Sequence, residues 1–238
     1  MKKSYISVLF AAAILIVSGC TKLDEKVYSE VLAKDFVPTQ NDIPSIVGPV
    51  YSVMRPMMMD WQGYFDVEEE SADQIVTPGR PNGWVDGGTY QRMHKHEWTP
   101  EEWQPWNLWL NCFSGITTAN RVIYQIESGE IAMTQGKAEL LAELRTVRAF
   151  YYYLLCDNHG NVPIVTDYTN TELPAQKSQL DVYNFVVSEL KACIPLLSKD
   201  VSTATYGRFT KYAAQTLLAR VYLNAVTYTG SGKWAECE

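Results

Sequence analysis

Residues 136–156 read GKAELLAELRTVRAFYYYLLC. Apolar side chains recur in this stretch at spacings of three and four, which is the period of an α-helix with one buried face. Gly160 and Pro163 follow and predict a break in the chain. We therefore predict a helix from about Gly136 to Cys156. Its inward side chains would be Leu140, Leu141, Leu144, Val147, Tyr151, Leu154 and Leu155.

Two helices are predicted before this stretch. The first would span about 40–59, with Pro56 ending or kinking it. The second would begin at the start signal TPEE, residues 99–102, or nearer Trp106 because Pro105 interrupts the first turn. Its buried stripe would contain Trp106, Trp109, Leu110, Phe113, Ile116, Asn120, Ile123 and Tyr124.

Two more helices are predicted after it. One starts near Ser178, where Asp181 lies three residues on in a capping pattern, and the other starts near Thr210. The last helix carries small residues that allow close helix approach, namely Ala213, Ala214 and Ala219. Paired helices with interleaved small and large residues predict tetratricopeptide-like helical hairpins.

Residues 60–97 have a different character. They contain five glycines and two prolines and show no helical period. Long irregular segments inside compact domains are usually functional or disordered, and the aromatic residues Trp84 and Tyr90 argue against disorder. The fold that we predict is mainly α, with hairpins and a long irregular, loop-rich insertion.

The amino terminus has the pattern of a bacterial lipoprotein signal. The uncharged stretch 4–19 is shorter than the roughly 20 apolar residues of a membrane-spanning helix. VSGC at 17–20 resembles the lipobox, in which small residues admit a peptidase and the thiol takes a lipid. We predict a cleaved signal peptide over 1–19, a lipid on Cys20 and a tether over 20–38. The alternative is an ordinary secretory signal with a chance cysteine.

Composition bounds the function. The formal net charge is −7, and an acidic chain is a poor candidate for nucleic acid, which needs clustered cationic side chains. The cysteines after Cys20 form no C-x-x-C pair of a zinc or redox motif. We expect buried free thiols, with a disulfide left open, at Cys112, Cys156, Cys193 and Cys237.

A series of motifs follows the lipobox in a fixed order. They are HEWTP at 96–100, GITTANRVI at 115–123 after Trp109, ELRTVRAFYY at 143–152, DNHGNVPI at 157–164, GRFTKYAA at 207–214 and LLARVYL at 217–223. Together they resemble the SusD/RagB family of nutrient-binding lipoproteins of Bacteroidetes outer membranes. The resemblance implies that residues 39–238 are the amino-terminal helical domain of such a protein, truncated at its carboxyl end.

The resemblance implies a function. The protein would be a lipid-anchored, cell-surface receptor of the outer membrane that binds a glycan or its oligosaccharides without a cofactor. It would pass them to a SusC-like TonB-dependent transporter. TKLDE at 21–25 is similar to a surface-export signal of such lipoproteins. Two alternatives stay open: a peptide-binding, RagB-like receptor and an enzyme acting on polysaccharide.

The insertion is the predicted ligand site. Sugars present apolar C–H faces that stack on aromatic rings and hydroxyl groups that bond polar side chains. Trp84, between Gly83 and Gly87, is the candidate platform, although it could instead fold back onto the helices. The candidate polar contacts are Asp73, Arg80, Asn82, Asp86 and Tyr90.

We predict no catalytic or metal-binding residue. The acid run at 68–70 is interpreted as a solvated surface rather than the carboxylate pair of a glycosidase. His94 and His96 lack a third ligand in a recognisable zinc pattern. Trp106 and Trp109 are interpreted as core residues. Structural pairing, rather than ligand binding, is expected of Asn120, Arg148 and Arg220.

Overall fold

The structure, a computed structural model, describes residues 37–59, 63–80, 82–83 and 86–238. α-Helices dominate it, as predicted. In chain order they are α1 (Ile43–Ser52), α2 (Met54–Met59), α3 (Tyr64–Ser71), α4 (Thr89–His94), α5 (Trp103–Glu127), α6 (Lys137–Asn158), α7 (Gln179–Cys193), α8 (Lys211–Leu223) and α9 (Ala225–Thr229). The described residues contain no β-strand, and one isolated antiparallel bridge joins Pro163 to Gln176.

The helix predicted over 136–156 is α6, which packs against α5 and α7. Leu144, Val147 and Tyr151 on its inner face have no exposed surface. Full burial of such a side chain stabilises the fold by about 1.5–3 kcal/mol. The apolar period of this stretch therefore predicted the core correctly, although Leu141 is only half-buried.

α5 and α6 form an antiparallel pair. The rings of Trp109 and His159 have centroids 5.4 Å apart, whereas Gly115 lies against the ring of Tyr151. A β-carbon at Gly115 would lie 2.4 Å from that ring, which is far inside contact distance. Glycine at this position thus lets the two helices approach closely.

α7 lies antiparallel on the other side of α6. The rings of Tyr152 and Phe185 meet edge to face at 5.0 Å, and Arg148 Nη2 donates to Glu189 Oε2 at 2.7 Å. Arg145 also donates to Glu189. Although burial raises it, hydrogen bonds from both arginines hold the pKa of Glu189 below its usual value. The predicted helical hairpins and the structural pairing of Arg148 are confirmed.

Asn120 joins this network to the chain that follows α6. Its Nδ2 donates to the carbonyl oxygen of Val165 at 2.9 Å, and its Oδ1 accepts from Arg148 Nη1 at 2.7 Å. Both groups of this buried amide are therefore satisfied, as a buried polar side chain requires. The prediction that Asn120 ties elements together is confirmed.

The predicted start signals of α7 and α8 are also confirmed. Ser178 and Asp181 form a capping box, in which each side chain bonds the other residue's backbone. The side chain of Thr210 accepts a hydrogen bond from the amide of Ala213. These caps satisfy amides that the first turn of a helix leaves without partners.

The first predicted helix is divided into α1 and α2. The division falls at Val53, three residues before Pro56. A proline ring clashes with the carbonyl group four residues earlier, which here belongs to Ser52, the last residue of α1. The predicted effect of Pro56 is thus correct, but the break precedes the proline.

α5 begins at Trp103, with Glu102 as its cap, rather than at residue 99 or Trp106. Its buried face passes through Leu108, Cys112, Ile116 and Ala119. The predicted stripe is therefore wrong at Trp106, Leu110 and Tyr124, which are exposed, and the interpretation of Trp106 as a core residue is wrong. Apolar side chains surround the amino-terminal half of this helix, so their spacing alone fits more than one face.

The insertion is less irregular than predicted, because α3 and α4 lie within it. The acid run on α3 is also not a uniformly solvated surface. Glu70 is fully buried and accepts a hydrogen bond from Thr77, while Glu68 and Glu69 are half-buried. A short amphipathic helix needs only one buried turn, which leaves little periodicity to detect.

Cys112, Cys156 and Cys193 are buried free thiols, which confirms that prediction, whereas Cys237 is partly exposed. None of the described helices has the length and apolar character needed to cross a membrane. The predicted signal peptide, the lipidated Cys20 and nearly all of the tether lie outside the described residues.

Candidate functional site

An open cleft of about 620 Å³ lies between α3, the segment 98–105 and the end of α6. Its apolar lining is Val67, Met93, Pro100, Pro105 and Leu108. Its polar lining is Ser71, Thr99, Asp157, Asn158 and His159. Trp98 adds an aromatic ring to this mixed surface. A concave site with an apolar base and a few convergent polar groups is typical of small-ligand binding.

Trp98 is the exposed aromatic side chain of the cleft, with 47% of its surface accessible. The ring of His96 lies 5.4 Å from it, and His96 Nε2 lies 2.7 Å from the carbonyl oxygen of Ser71 on α3. These contacts tie the segment that carries the tryptophan to α3. The neighbouring His96 thus holds this segment in place, while the ring of Trp98 remains accessible.

His96 has a left-handed backbone conformation, with φ of +57°. A residue other than glycine in such a conformation costs about 1–3 kcal/mol and persists only when its surroundings enforce it. Here the bond to Ser71 and the ring contact with Trp98 provide that enforcement. Such strain is concentrated at functional sites, which agrees with the position of His96 beside the cleft.

The polar side of the cleft is the carboxyl end of α6. Asp157 Oδ1 accepts a hydrogen bond from the hydroxyl group of Tyr228 at 2.6 Å, and Asn158 Nδ2 donates to the carbonyl oxygen of Leu154 at 3.0 Å. Both side chains are therefore held by the fold. Asp157 retains oxygen lone pairs for a ligand, because a carboxylate can accept several hydrogen bonds.

His159 completes this side. Its Nε2 lies 3.1 Å from the carbonyl oxygen of Pro105, which places the ring proton on Nε2 and leaves Nδ1 as an acceptor. His159 Nδ1 is buried and has no hydrogen-bond partner. Burial lowers the pKa of His159, so the ring is uncharged at neutral pH. The cleft thus presents the carboxylate of Asp157 and an uncharged His159 beside the ring of Trp98.

The predicted site residues that the structure describes lie in the insertion and do not line the cleft. Trp84 lies outside the described residues. Asp73 is exposed, with φ of +58° and its Oδ1 at 3.2 Å from His94 Nδ1. Arg80 and Asn82 are exposed on the loop between α3 and α4.

The two remaining predicted residues, Asp86 and Tyr90, lie near the buried carboxylate of Asp66. Tyr90 has only 8% of its surface exposed; its ring meets Trp103 at 5.9 Å, and its hydroxyl lies 3.4 Å from Asp66 Oδ2. Burial, followed by the charges of Asp66 and Asp86, raises the pKa of Tyr90. Tyr90 is therefore a core residue beneath the loop. Ligand binding by the six predicted residues stays a prediction.

His94 and His96 point to different partners, Asp73 and Ser71 respectively. Across the described ranges, no group of three histidine, cysteine, aspartate or glutamate side chains has an arrangement suited to a metal ion.

The sequence reasoning missed Trp98 and the residues 157–159. The argument used for Trp84, an aromatic side chain in a stretch without helical period, applies equally to Trp98 beside Pro100. No such signal marks Asp157, Asn158 and His159, because they belong to the end of a helix. Only the packing of both α3 and α6 against α5 brings them to the tryptophan.

A family model of SusD-like proteins, described as starch-binding and associating with the outer membrane, matches residues 23–223. The starch-binding protein SusD of Bacteroides thetaiotaomicron is 28% identical over 155 residues, which are 65% of this chain and 27% of that protein. A SusD-like protein of Bacteroides ovatus is 25% identical over 242 residues, 97% of this chain and 41% of the relative. The chain thus spans well under half the length of these curated relatives.

Solved structures show the same fold. A laminarin-binding SusD-like protein superposes with a TM-score of 0.66 at 24% identity, over 81% of this chain and 41% of its own. The surface glycan-binding protein A of Bacteroides uniformis superposes with a TM-score of 0.66 at 21% identity, over 79% and 43%. At these identities the likeness establishes the architecture alone.

Proposed function

We propose that this chain, which belongs to the SusD-like family, binds a glycan or its oligosaccharides in the cleft between α3 and the end of α6. The observation that carries the proposal is the pairing of an exposed ring, Trp98, with the polar residues 157–159 in one cleft. An aromatic ring stacks on the apolar face of a sugar, and the carboxylate and amide groups bond its hydroxyls. Ligand binding by Trp84 and the other predicted residues of the insertion would be additional to binding in this cleft.

The proposed location is the cell surface. A lipid on Cys20 would hold the protein at the outer membrane, and residues 20–38 would serve as the tether. The lipobox-like VSGC and the outer-membrane association in the family description support this part of the proposal. Replacing Cys20 with serine should release the protein from the membrane fraction; retention there would contradict the anchor.

The proposed role is delivery rather than catalysis. The protein would hold captured oligosaccharides close to a SusC-type TonB-dependent transporter, which performs the uptake. Membership of the SusD-like family supports this part of the proposal. Copurification of such a transporter from detergent-solubilised outer membranes would support the partnership, and release of reducing sugar by the purified protein would contradict a purely binding role.

The binding proposal is tested with Trp98→Ala on an array of glycans and peptides, followed by calorimetry on the glycans that bind. Loss of the stacking surface should weaken binding about tenfold, or ~1.4 kcal/mol. Trp234→Ala is the matched control, because Trp234 is 63% exposed in the turn Trp234–Cys237 and does not line the cleft. Equal affinities of the two variants, or binding of peptides instead of glycans, would overturn the proposal.

A further inference from the structure

The charges around the cleft indicate which glycans it can hold. Asp157 lines the cleft at the end of α6. Glu68, half-buried on α3, lies between the lining residues Val67 and Ser71 and within hydrogen-bonding reach of Asn158. Two acidic side chains from different helices therefore flank Asn158.

The cationic group close to these acids does not line the cleft. Arg220 interacts electrostatically with both Glu68 and Asp157, but its guanidinium lies over the ring of Tyr153, 5.9 Å from the ring centre. His159 lines the cleft, but burial lowers its pKa, so its ring is uncharged at neutral pH. The described lining of the cleft therefore offers a carboxylate and no positive charge to an incoming ligand.

We infer that this cleft selects neutral glycans, built from sugars without carboxylate or sulfate groups, over anionic ones. The inference rests on the proposed function and narrows its ligand class. Hydroxyl groups of a neutral sugar donate to the carboxylate of Asp157, whereas a uronate or a sulfate group only accepts hydrogen bonds and repels it. Two like charges about 4–6 Å apart near a protein surface weaken binding by roughly tenfold or more.

The test compares ligands that have the same length and linkage but differ in charge. Maltoheptaose and laminarihexaose are titrated into the purified protein by calorimetry at low ionic strength. Each is then oxidised at the primary hydroxyl groups, which become carboxylates while the length and linkage of the glycan are unchanged. We expect each oxidised form to bind at least tenfold more weakly than its neutral parent, with a smaller difference in 0.5 M salt, because salt screens exposed charges.

Variants of the acidic residues test whether the preference for neutral over oxidised glycans arises in the cleft. Asp157→Asn and Glu68→Gln each remove one charge, and each should reduce the ratio of neutral to oxidised affinity by threefold or more. Asp200→Asn, in the loop between α7 and α8, removes a charge that does not line the cleft and should leave the ratio unchanged. A variant that unfolds is recognised by circular dichroism, and the other variant then decides the assignment.

The outcomes separate the two proposals. If a neutral glycan binds and its oxidised form binds as tightly or more tightly, the proposed function stands and the selectivity is overturned. If the discrimination persists in both variants, the selectivity does not arise from these acids and the inference is likewise overturned. If no glycan binds in either form, the proposed function itself fails.

Discussion

Arg148 and Asn120 join α6 to α5 through a hydrogen bond of 2.7 Å between Arg148 Nη1 and Asn120 Oδ1. The same guanidinium bonds Glu189 on α7, so one side chain connects three helices. Arg148 has only 5% of its surface exposed. A charge at such a site must be paired, because an unpaired buried charge is strongly destabilising.

Replacing Arg148 with methionine should therefore destabilise the protein. The variant keeps the apolar stem but leaves Asn120 Oδ1 without its donor and Glu189 with Arg145 alone. We expect a loss of about 3 kcal/mol in the free energy of unfolding, measured by urea denaturation. Arg121→Met on the exposed side of α5 is the control and should change it by less than about 0.5 kcal/mol. Equal losses in the two variants would contradict this role of the network.

The stability of the protein should depend on pH through Glu189. Its pKa is lowered in the folded state, so the unfolded chain takes up a proton first as the pH falls below the ordinary value of 4.5. The stabilisation from Glu189 is complete above that pH and is lost as the pH falls through the lower, folded-state pKa. Burial raises the pKa of Asp66 and Glu68, so protonation of these two carboxyl groups favours the folded state as the pH falls.

Their effect opposes that of Glu189, so the quantity to measure is the difference in unfolding free energy between wild type and Arg148→Met. It should shrink between pH 6 and pH 3, and a constant difference would contradict the prediction.

Gly115→Ala should destabilise the α5–α6 pair. The added methyl group would lie 2.4 Å from the ring of Tyr151, and such overpacking costs about 1–3 kcal/mol. So close a contact places the cost in the upper part of this range. Alanine is the better helix former by about 1 kcal/mol, which offsets part of the cost, so the net loss should be about 1–2 kcal/mol. Ser114→Ala on the exposed side of the same helix should be neutral or slightly stabilising. Thermal unfolding of both variants checks this, and a stabilised Gly115→Ala protein would show that the helices can separate freely.

Tyr228→Phe should weaken glycan binding without unfolding the protein. The substitution removes the hydroxyl group that donates to Asp157, whose carboxylate is then free to rotate. We expect a three- to tenfold loss of affinity in calorimetry, because the freed carboxylate must be immobilised when the ligand binds, at a cost of about 1 kcal/mol. Tyr206→Phe, at a side chain that is 90% exposed, supplies the matched control. Unchanged affinity in Tyr228→Phe would indicate that Asp157 is held by other contacts or does not meet the ligand.

The helices that carry a capping residue or a regular apolar period in their own sequence were predictable. α7 and α8 were predictable from a serine or threonine cap followed by an apolar period, and α6 from its period alone. The prediction was wrong in the amino-terminal half of α5, where the spacing of Trp106 and Leu110 fits a buried stripe but both side chains are exposed. The burial of Glu70 was also not predicted, because it depends on a hydrogen bond from Thr77 and on tertiary packing that no local pattern indicates.

The candidate site could be predicted only in part. The aromatic content of 60–97 directed attention to the insertion, and α3 does form one side of the cleft. The polar side comes from residues 157–159, about ninety positions further along the chain, and only the tertiary fold unites them. A site divided between distant segments leaves no spacing to read in a single sequence.

The position of the polar residues at the end of α6 has a kinetic consequence. α6 is the most enclosed helix described, and Asp157 is fixed by Tyr228 before any sugar arrives. A preorganised surface loses little conformational entropy when its ligand binds, so association needs no slow rearrangement of that side. Glycans that differ in fit should then differ chiefly in how long they stay, with similar rates of arrival and residence times that set their order of affinity.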